Sequence, residues 1–401
     1  MTKISRTTDM TQGSEMRHII MFSLPLLAGN LLQQTYNIVD TMVVGRYLGD
    51  DALAAVGATG SITYLFYALC IGLSVGAGII VAQYFGAGKQ KALRSAVFNS
   101  ALVTAIFGIV ISLLSVPAAR PILELLKVPD KLIGDSAVYM QIACGGTIAV
   151  AAYNWINAIM RALGDSKTPL IFLGAASLLN ALLDLLFVVV FKFGIAGAAW
   201  ATVLTQALSA ISCIVYCFAV SGEIKLTAED LHADKDMMSR CVKTGVPIAI
   251  QNGLISVSMV ALQRVTNGFG ETVMAAYTVS MRIEQFVQQP FSSLNAAVST
   301  FTGQNIGAGK EKRAQKGLAC AIKISVIFSA VVLVLFTLFG GAITSWFVKG
   351  KAVISISAKA LIITSLFYWS LGIIHTTRGF LNGAGDTNYA LVNGMAEVIC
   401  R

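Results

Sequence analysis

The sequence predicts an all-α polytopic membrane protein made of two related six-helix bundles running in parallel, the second incomplete. Three observations predict it. The 401 residues are 56% hydrophobic and only 12% charged, with mean hydropathy +0.74, where a soluble chain would carry about a quarter charged residues. Apolar stretches of about 20 residues or more recur along nearly the whole chain, each able to cross about 30 Å of hydrocarbon. One sequence pattern also occurs twice at a fixed spacing. The apolar runs do not alternate in polarity, which excludes the strands of a membrane barrel.

Along the chain, residues 1–17 are polar and read as a cytoplasmic tail. The first apolar run is too long for a signal-peptide core and reads as an uncleaved anchor. Six spans, at about 18–45, 53–86, 92–119, 134–162, 168–192 and 195–221, form an N-lobe over 18–221. A polar linker over 222–243 follows, drawn from the acidic stretch SGEIKLTAEDLHADKD at 221–236. Spans at about 244–268, 273–306, 317–347 and 354–381 belong to a C-lobe over 244–401, and an eleventh begins near 388. Pro25 inside span one and Pro247 early in span seven each remove a helix hydrogen bond, making either a static kink or a bending point. The GAGK turns after spans two and eight end helices through glycine. They lack the spacing and preceding strand of a phosphate loop.

With the N-terminus in the cytoplasm, the inner loops hold Lys89, Lys91, Arg94, Arg161, Lys167, Lys310, Lys312, Arg313 and Lys316. That excess of inner Lys and Arg sets the orientation. Topology thus accounts for the net charge of +9, and no nucleic-acid partner is called for. The seven cysteines lie mostly within apolar runs without metal-ligand spacing, so they read as packing residues.

The repeat is specific. QYFGAGK at 83–89 returns as QNIGAGK at 304–310, an offset of 221. Gly164-Asp165 matches Gly385-Asp386, and Gly49-Asp50 matches Gly270-Glu271, at the same offset. Six spans separate equivalent points, an even number, so the halves are parallel and related by an axis along the membrane normal. By the same offset Arg401 falls opposite Asn180, and the expected chain is short by about 40 residues of a twelve-helix plan.

The intramembrane polar residues carry the chemistry. Asp40, near the outer end of span one, and Asp184, in the outer half of span five, lie at broadly similar depths, with Thr202 at the same level. Tyr36 with Asp40, and Asn180 with Asp184, are i, i+4 pairs. An uncompensated mid-bilayer carboxylate costs about 2.5–3.5 kcal/mol on insertion scales, so its retention implies a bound Na+, a proton or hydrogen bonds. Oxygen ligands from Asp, Asn and Thr suit a hard cation; two facing acids suit reversible protonation. The alternative is that amides such as Asn154 satisfy both acids and the cluster serves packing. In the second half, Leu262 and Gln263 stand opposite Asp40, so the halves are not equivalent. Arg282 and Glu284 in span eight are i, i+2 and point to different faces. Glu284 therefore reads either as a partner to another helix or as a cavity residue.

SLPLLAGNLLQQTYNIVDTMVVGRYLG, the twice-used Q-x-x-GAGK, RALGDSKTP, RGFLNGAGDT and SMRIEQFVQQPFSSLNAAVSTFTGQNIGAGK together resemble the multidrug and toxic compound extrusion (MATE) family over 15–401. The resemblance implies twelve helices in two lobes around a central cavity, and secondary antiport of amphipathic, mostly cationic compounds against Na+ or H+. It implies no enzyme activity, no cofactor beyond the coupling ion, a monomer, and a bacterial cytoplasmic membrane. It places Asp40, Asn180, Asp184 and Thr202 at an N-lobe Na+ or proton site lined by Tyr36, Tyr139 and Asn154, with Pro25 as the bending point of span one. Arg282, Glu284, Met281, Phe286, Gln288 and Phe291 are candidates to line the substrate cavity. A lipid-linked oligosaccharide flippase of the same superfamily is the alternative, against which Arg282 stands as the one clear cavity cation. An intramembrane aspartyl protease, suggested by Gly385-Asp386, lacks its Tyr-Asp partner motif.

Overall fold

In the computed structural model, which describes residues 7–220 and 224–400, every element is helical and no strand is present among the described residues. The first half comprises α1 (Glu15–Leu48), α2 (Asp50–Gly86), α3 (Gln90–Leu125), α4 (Asp130–Gly145), α5 (Thr147–Ala162), α6 (Lys167–Asp184) and α7 (Gly194–Val220). After a 3-10 turn at Ala228–Asp230 come α8 (Lys235–Asn267), α9 (Glu271–Gly307), α10 (Glu311–Ser345), α11 (Lys351–Ser365), α12 (Tyr368–Ala384) and α13 (Thr387–Cys400). The expected positions Ser221, Gly222, Glu223 and Arg401, the tail before Thr7, and the side chains of Gln263 and Cys400 lie outside the described residues.

Expected span four is not one straight helix. α4 and α5 bend by 44° at Gly146, and α11 and α12 bend by 51° around Phe367, its equivalent at the 221 offset. Span five also changes character. α6 ends at Asp184 and continues as a π-helix over Leu185–Val190, where Phe191 N donates to Leu186 O at 2.9 Å. One extra residue in that turn rotates every later side chain by about 100°, and such bulges gather at functional sites. Five helices, or seven if each bent pair is one span, are long and apolar enough to cross a bilayer by composition alone. α1, α8 and α9 have 34, 33 and 37 residues but more polar sequences.

In the first half α2 packs on α3, α4 and α5, and α7 on α4, α5 and α6. In the second, α9 packs on α10, α11 and α12. The halves meet where α2 crosses α8 and α9 and where α1 crosses α9. Small residues permit the closest of these crossings: a Cβ on Gly76 would lie 2.6 Å from the Gly245 backbone.

The sequence repeat is a structural repeat. Ser136 Oγ donates to Ala55 O at 3.2 Å, and Ser357 Oγ to Ala276 O at 3.1 Å, each pair displaced by 221. Gly88 and Gly309 take φ of +67° and +71°, a region barred to most side chains, and so end α2 and α9 identically. The two turns touch. Gly86 packs on the Gln304 backbone and Gly307 on that of Gln83, with no room for a Cβ at either. Reciprocal contact of equivalent residues is what a two-fold relation requires.

The amino-terminal segment is strapped across this same end. Thr8 N donates to Leu163 O (3.1 Å), and Met10 N to Gln304 Oε1 (2.9 Å). Arg313 donates to the carbonyls of Met10, Gln12 and Gly13. Met10 is 1% exposed and packs with Phe22, Leu294 and Phe301. The expected tail is therefore packed from Thr7 onward.

Candidate functional site

Asp40 on α1 and Asp184 at the end of α6 are brought together, and their two carboxyl groups are close electrostatic neighbours. Asp184 is 0% exposed and Asn180, one turn before it, 1%. Neither Asp184 oxygen, nor Asp40 Oδ1, nor either amide atom of Asn180 meets a donor or acceptor partner among the described residues. A carboxylate only accepts hydrogen bonds, so two facing carboxylates need a shared proton or a cation between them. Buried polar atoms are otherwise almost always satisfied, and five such orphans in one cluster mark a place for a guest.

Tyr36, one turn before Asp40, lies beside that carboxyl and hydrogen-bonds Thr202 of α7. Thr202 Oγ1 also donates to Ala198 O at 3.2 Å. Tyr139 of α4 approaches both acids. Tyr36 borders two chambers. One, of about 20 Å³ and bordered by Asn180 and Gln206, has the size of a single water or ion. The other, of about 380 Å³, lies among α1, α2, α5, α6 and α7 and is lined by Tyr36, Asn154 and Thr202. Asn154 spends its amide N–H on Val150 O at 2.8 Å and so faces the large chamber without bonding the acids. No group of three His, Cys, Asp or Glu suited to a metal is present among the described residues. Two carboxylates with amide and hydroxyl oxygens fit a hard monovalent cation or a proton instead.

Pro25 lines the large chamber, and α1 runs through it as one continuous helix. Of the second-half candidates, Phe291 borders a separate cavity of about 240 Å³ between α1, α9 and α10. Arg282 and Phe286 are exposed, while Met281 and Gln288 are half-buried. Glu284 faces the Tyr368 hydroxyl. Phe291 is 1% exposed, packed edge-on to Phe328 at 5.3 Å and stacked on His375. Gln33, Tyr67, Tyr153, Asn157, Arg161 and Gln206 line the large chamber and were not anticipated. Their signal was present: Tyr153, Asn157 and Arg161 recur every four residues, as do Thr202 and Gln206.

The MatE family profile matches residues 25–186 and again 247–401. The chain belongs to the MatE family. Among its relatives, the probable multidrug resistance protein YoeA of Bacillus subtilis (strain 168) is 31% identical, over 96% of this chain and 85% of that protein. The probable multidrug resistance protein YpnP of the same strain is 29% identical, over 96% and 86%. The probable multidrug resistance protein NorM of Thermotoga maritima is 25% identical, over 92% and 80%. A solved structure described as MATE in the straight conformation superposes with TM-score 0.91 at 23% identity, covering 98% of this chain and 89% of that one. A transporter of the MOP superfamily from Pyrococcus furiosus superposes with TM-score 0.89 at 23% identity, over 96% and 87%. This MatE protein is thus an all-α, multi-pass membrane protein with a transporter fold.

Proposed function

We propose that this MatE protein is a secondary active efflux transporter, exchanging amphipathic small molecules, organic cations among them, for Na+ or H+. The observation that carries the proposal is the unpartnered Asp40–Asp184 pair. An ion or proton between these carboxyls removes their repulsion, and its departure restores it, so occupancy changes the energy of holding α1 against α6. The Tyr36–Thr202 contact joins that pair to the large chamber, where the exported molecule binds. One charge crossing the membrane potential supplies about 2.3 kcal/mol per 100 mV, enough to sustain a gradient.

The chain lies in a bacterial cytoplasmic membrane with its N-terminus inside, which makes the GAGK end the cytoplasmic one. That end is closed by the contacts of Gly86 and Gly307 and by the strap. In this reading the chamber is shut off from the cytoplasm, and rocking of the 18–221 and 244–401 lobes exposes it to that side. The names of the relatives, resistance and export proteins for multiple drugs, favour drugs over a lipid-linked sugar. Asp184→Asn tests the reading in a pump-deficient host: membrane insertion is kept and drug resistance lost. Full resistance in that variant contradicts it.

A further inference from the structure

The large chamber contains one charged side chain that ion coupling does not explain. Tyr153, Asn157 and Arg161 share one face of α5, and all three line it. Asn157 is 6% exposed and its Oδ1 has no donor. The rest of the polar lining is amide and hydroxyl, and no acidic residue borders the chamber. No carboxylate lies within ion-pair distance of Arg161 among the described residues, where the bridges are Arg94–Asp230, Arg120–Glu124, Lys131–Asp51 and Arg313–Glu15. Asp165, one turn on, is committed to the N-terminus of α6, accepting from Lys167 N, Thr168 N and Thr168 Oγ1.

Arg161 lies in the last turn of α5, where a cation suits the helix dipole. The dipole does not account for a cation that lines the chamber. Nor does the repeat's packing call for one, since the equivalent position at the 221 offset is Asn382. The coupling pair lies toward the opposite end, beyond Tyr36 and Thr202. From Asn154 to Arg161 the helix rises about 10 Å, the length of a two-ring aromatic solute.

We propose that Arg161 is the anion-recognising group of the transport chamber, selecting solutes that carry a carboxylate on an aromatic body. The inference rests on the export reading above. A guanidinium presents a planar fork of donors matched to a carboxylate, and the tyrosine faces and amides of the chamber suit the aromatic remainder. Selectivity arises because a solute lacking the carboxylate leaves those donors unanswered.

The test uses a matched pair of dyes, a rhodamine with a free carboxylate and its methyl ester, in a pump-deficient host and with the purified full chain in detergent. The wild type is expected to expel both and to bind the free acid about tenfold more tightly than the ester. Arg161→Gln is expected to weaken free-acid binding and raise its KM about 30-fold, and to weaken ester binding by less, so that the acid-over-ester preference is lost. Arg161→Lys should recover part of the free-acid preference. Equal wild-type affinity for acid and ester, or equal loss of both in Arg161→Gln, overturns the inference while leaving export intact. Failure of the wild type to expel either dye overturns the export reading with it. The wild-type affinity ratio decides the matter even where the variants do not reach the membrane.

Discussion

Gln83 and Gln304 make the same hydrogen bond in opposite directions across the interface between the halves. Gln83 Nε2 donates to Gly383 O at 3.1 Å, and Gln304 Nε2 donates to Ala162 O at 2.9 Å. Donors and acceptors are both displaced by 221 residues, so one interaction is used twice about the two-fold relation. It closes the GAGK end, directly beneath the glycines that let α2 and α9 touch.

Rocking of the lobes must break both bonds at once. A typical hydrogen bond contributes about 1 kcal/mol net, so losing two shifts the balance between closed and open by about 30-fold. Gln83→Ala with Gln304→Ala is therefore expected to speed thiol labelling of a cysteine placed at Ser166, in an otherwise cysteine-free chain, from the cytoplasmic side. Gly86→Val acts in the opposite manner to a simple loosening. Its side chain has no space against Gln304, and the expected outcome is failure to fold or a chain that cannot close, read as lost monodispersity in detergent.

The strap makes a separate prediction. Met10 is fully enclosed, and truncating a buried methionine costs about 2–5 kcal/mol. Met10→Ala is expected to lower the unfolding temperature in detergent and to speed labelling at the GAGK end. Met16→Ala, a large apolar residue that is 41% exposed, is the control and is expected to do neither.

The linker carries a pH dependence. Hydrogen bonds from Thr227 N and Oγ1, both 2.8 Å, and then the Arg94 guanidinium hold the Asp230 carboxyl below its ordinary range. A carboxyl depressed in the folded chain stabilises it above the unfolded value of 3.8, and that contribution is lost as pH falls through the lower folded value. Asp230→Asn is expected to speed amide exchange over residues 224–234 near neutral pH. The difference from wild type should vanish in strong acid.

Much of this was legible in the sequence, for identifiable reasons. The repeat was readable because turns ending in glycine at positive φ tolerate few substitutes, which preserved Gly88 and Gly309 in register. Asp40, Asn180 and Asp184 stood out because charge and amide within hydrocarbon demand compensation. The bends at Gly146 and Phe367 were not legible, since neither position carries proline and the apolar pattern runs on through both. The π-helix after Asp184 left no mark either, for LLFVVV suits any buried helix. The lining of the large chamber was missed because its tyrosines, amides and one arginine come from five helices, and the four-residue spacing on α5 and α7 does not say which helices face one another.

Thr202 and Asn180 separate the two coupling ions. If Na+ is the ion, their oxygens ligate it, and Thr202→Val or Asn180→Leu should raise the Na+ concentration for half-maximal efflux about tenfold. If a proton is the ion, both variants should leave the response to a pH gradient within about twofold, since neither group holds the proton.

The central claim is that the Asp40–Asp184 pair exchanges an ion for the exported molecule, and drug-driven ion flux tests it most directly. In proteoliposomes containing the full chain, an imposed drug gradient should drive Na+ or H+ in the opposite direction in the wild type. Asp184→Asn and Asp40→Asn should bind drug and drive no ion. Undiminished ion flux in both variants would contradict the account.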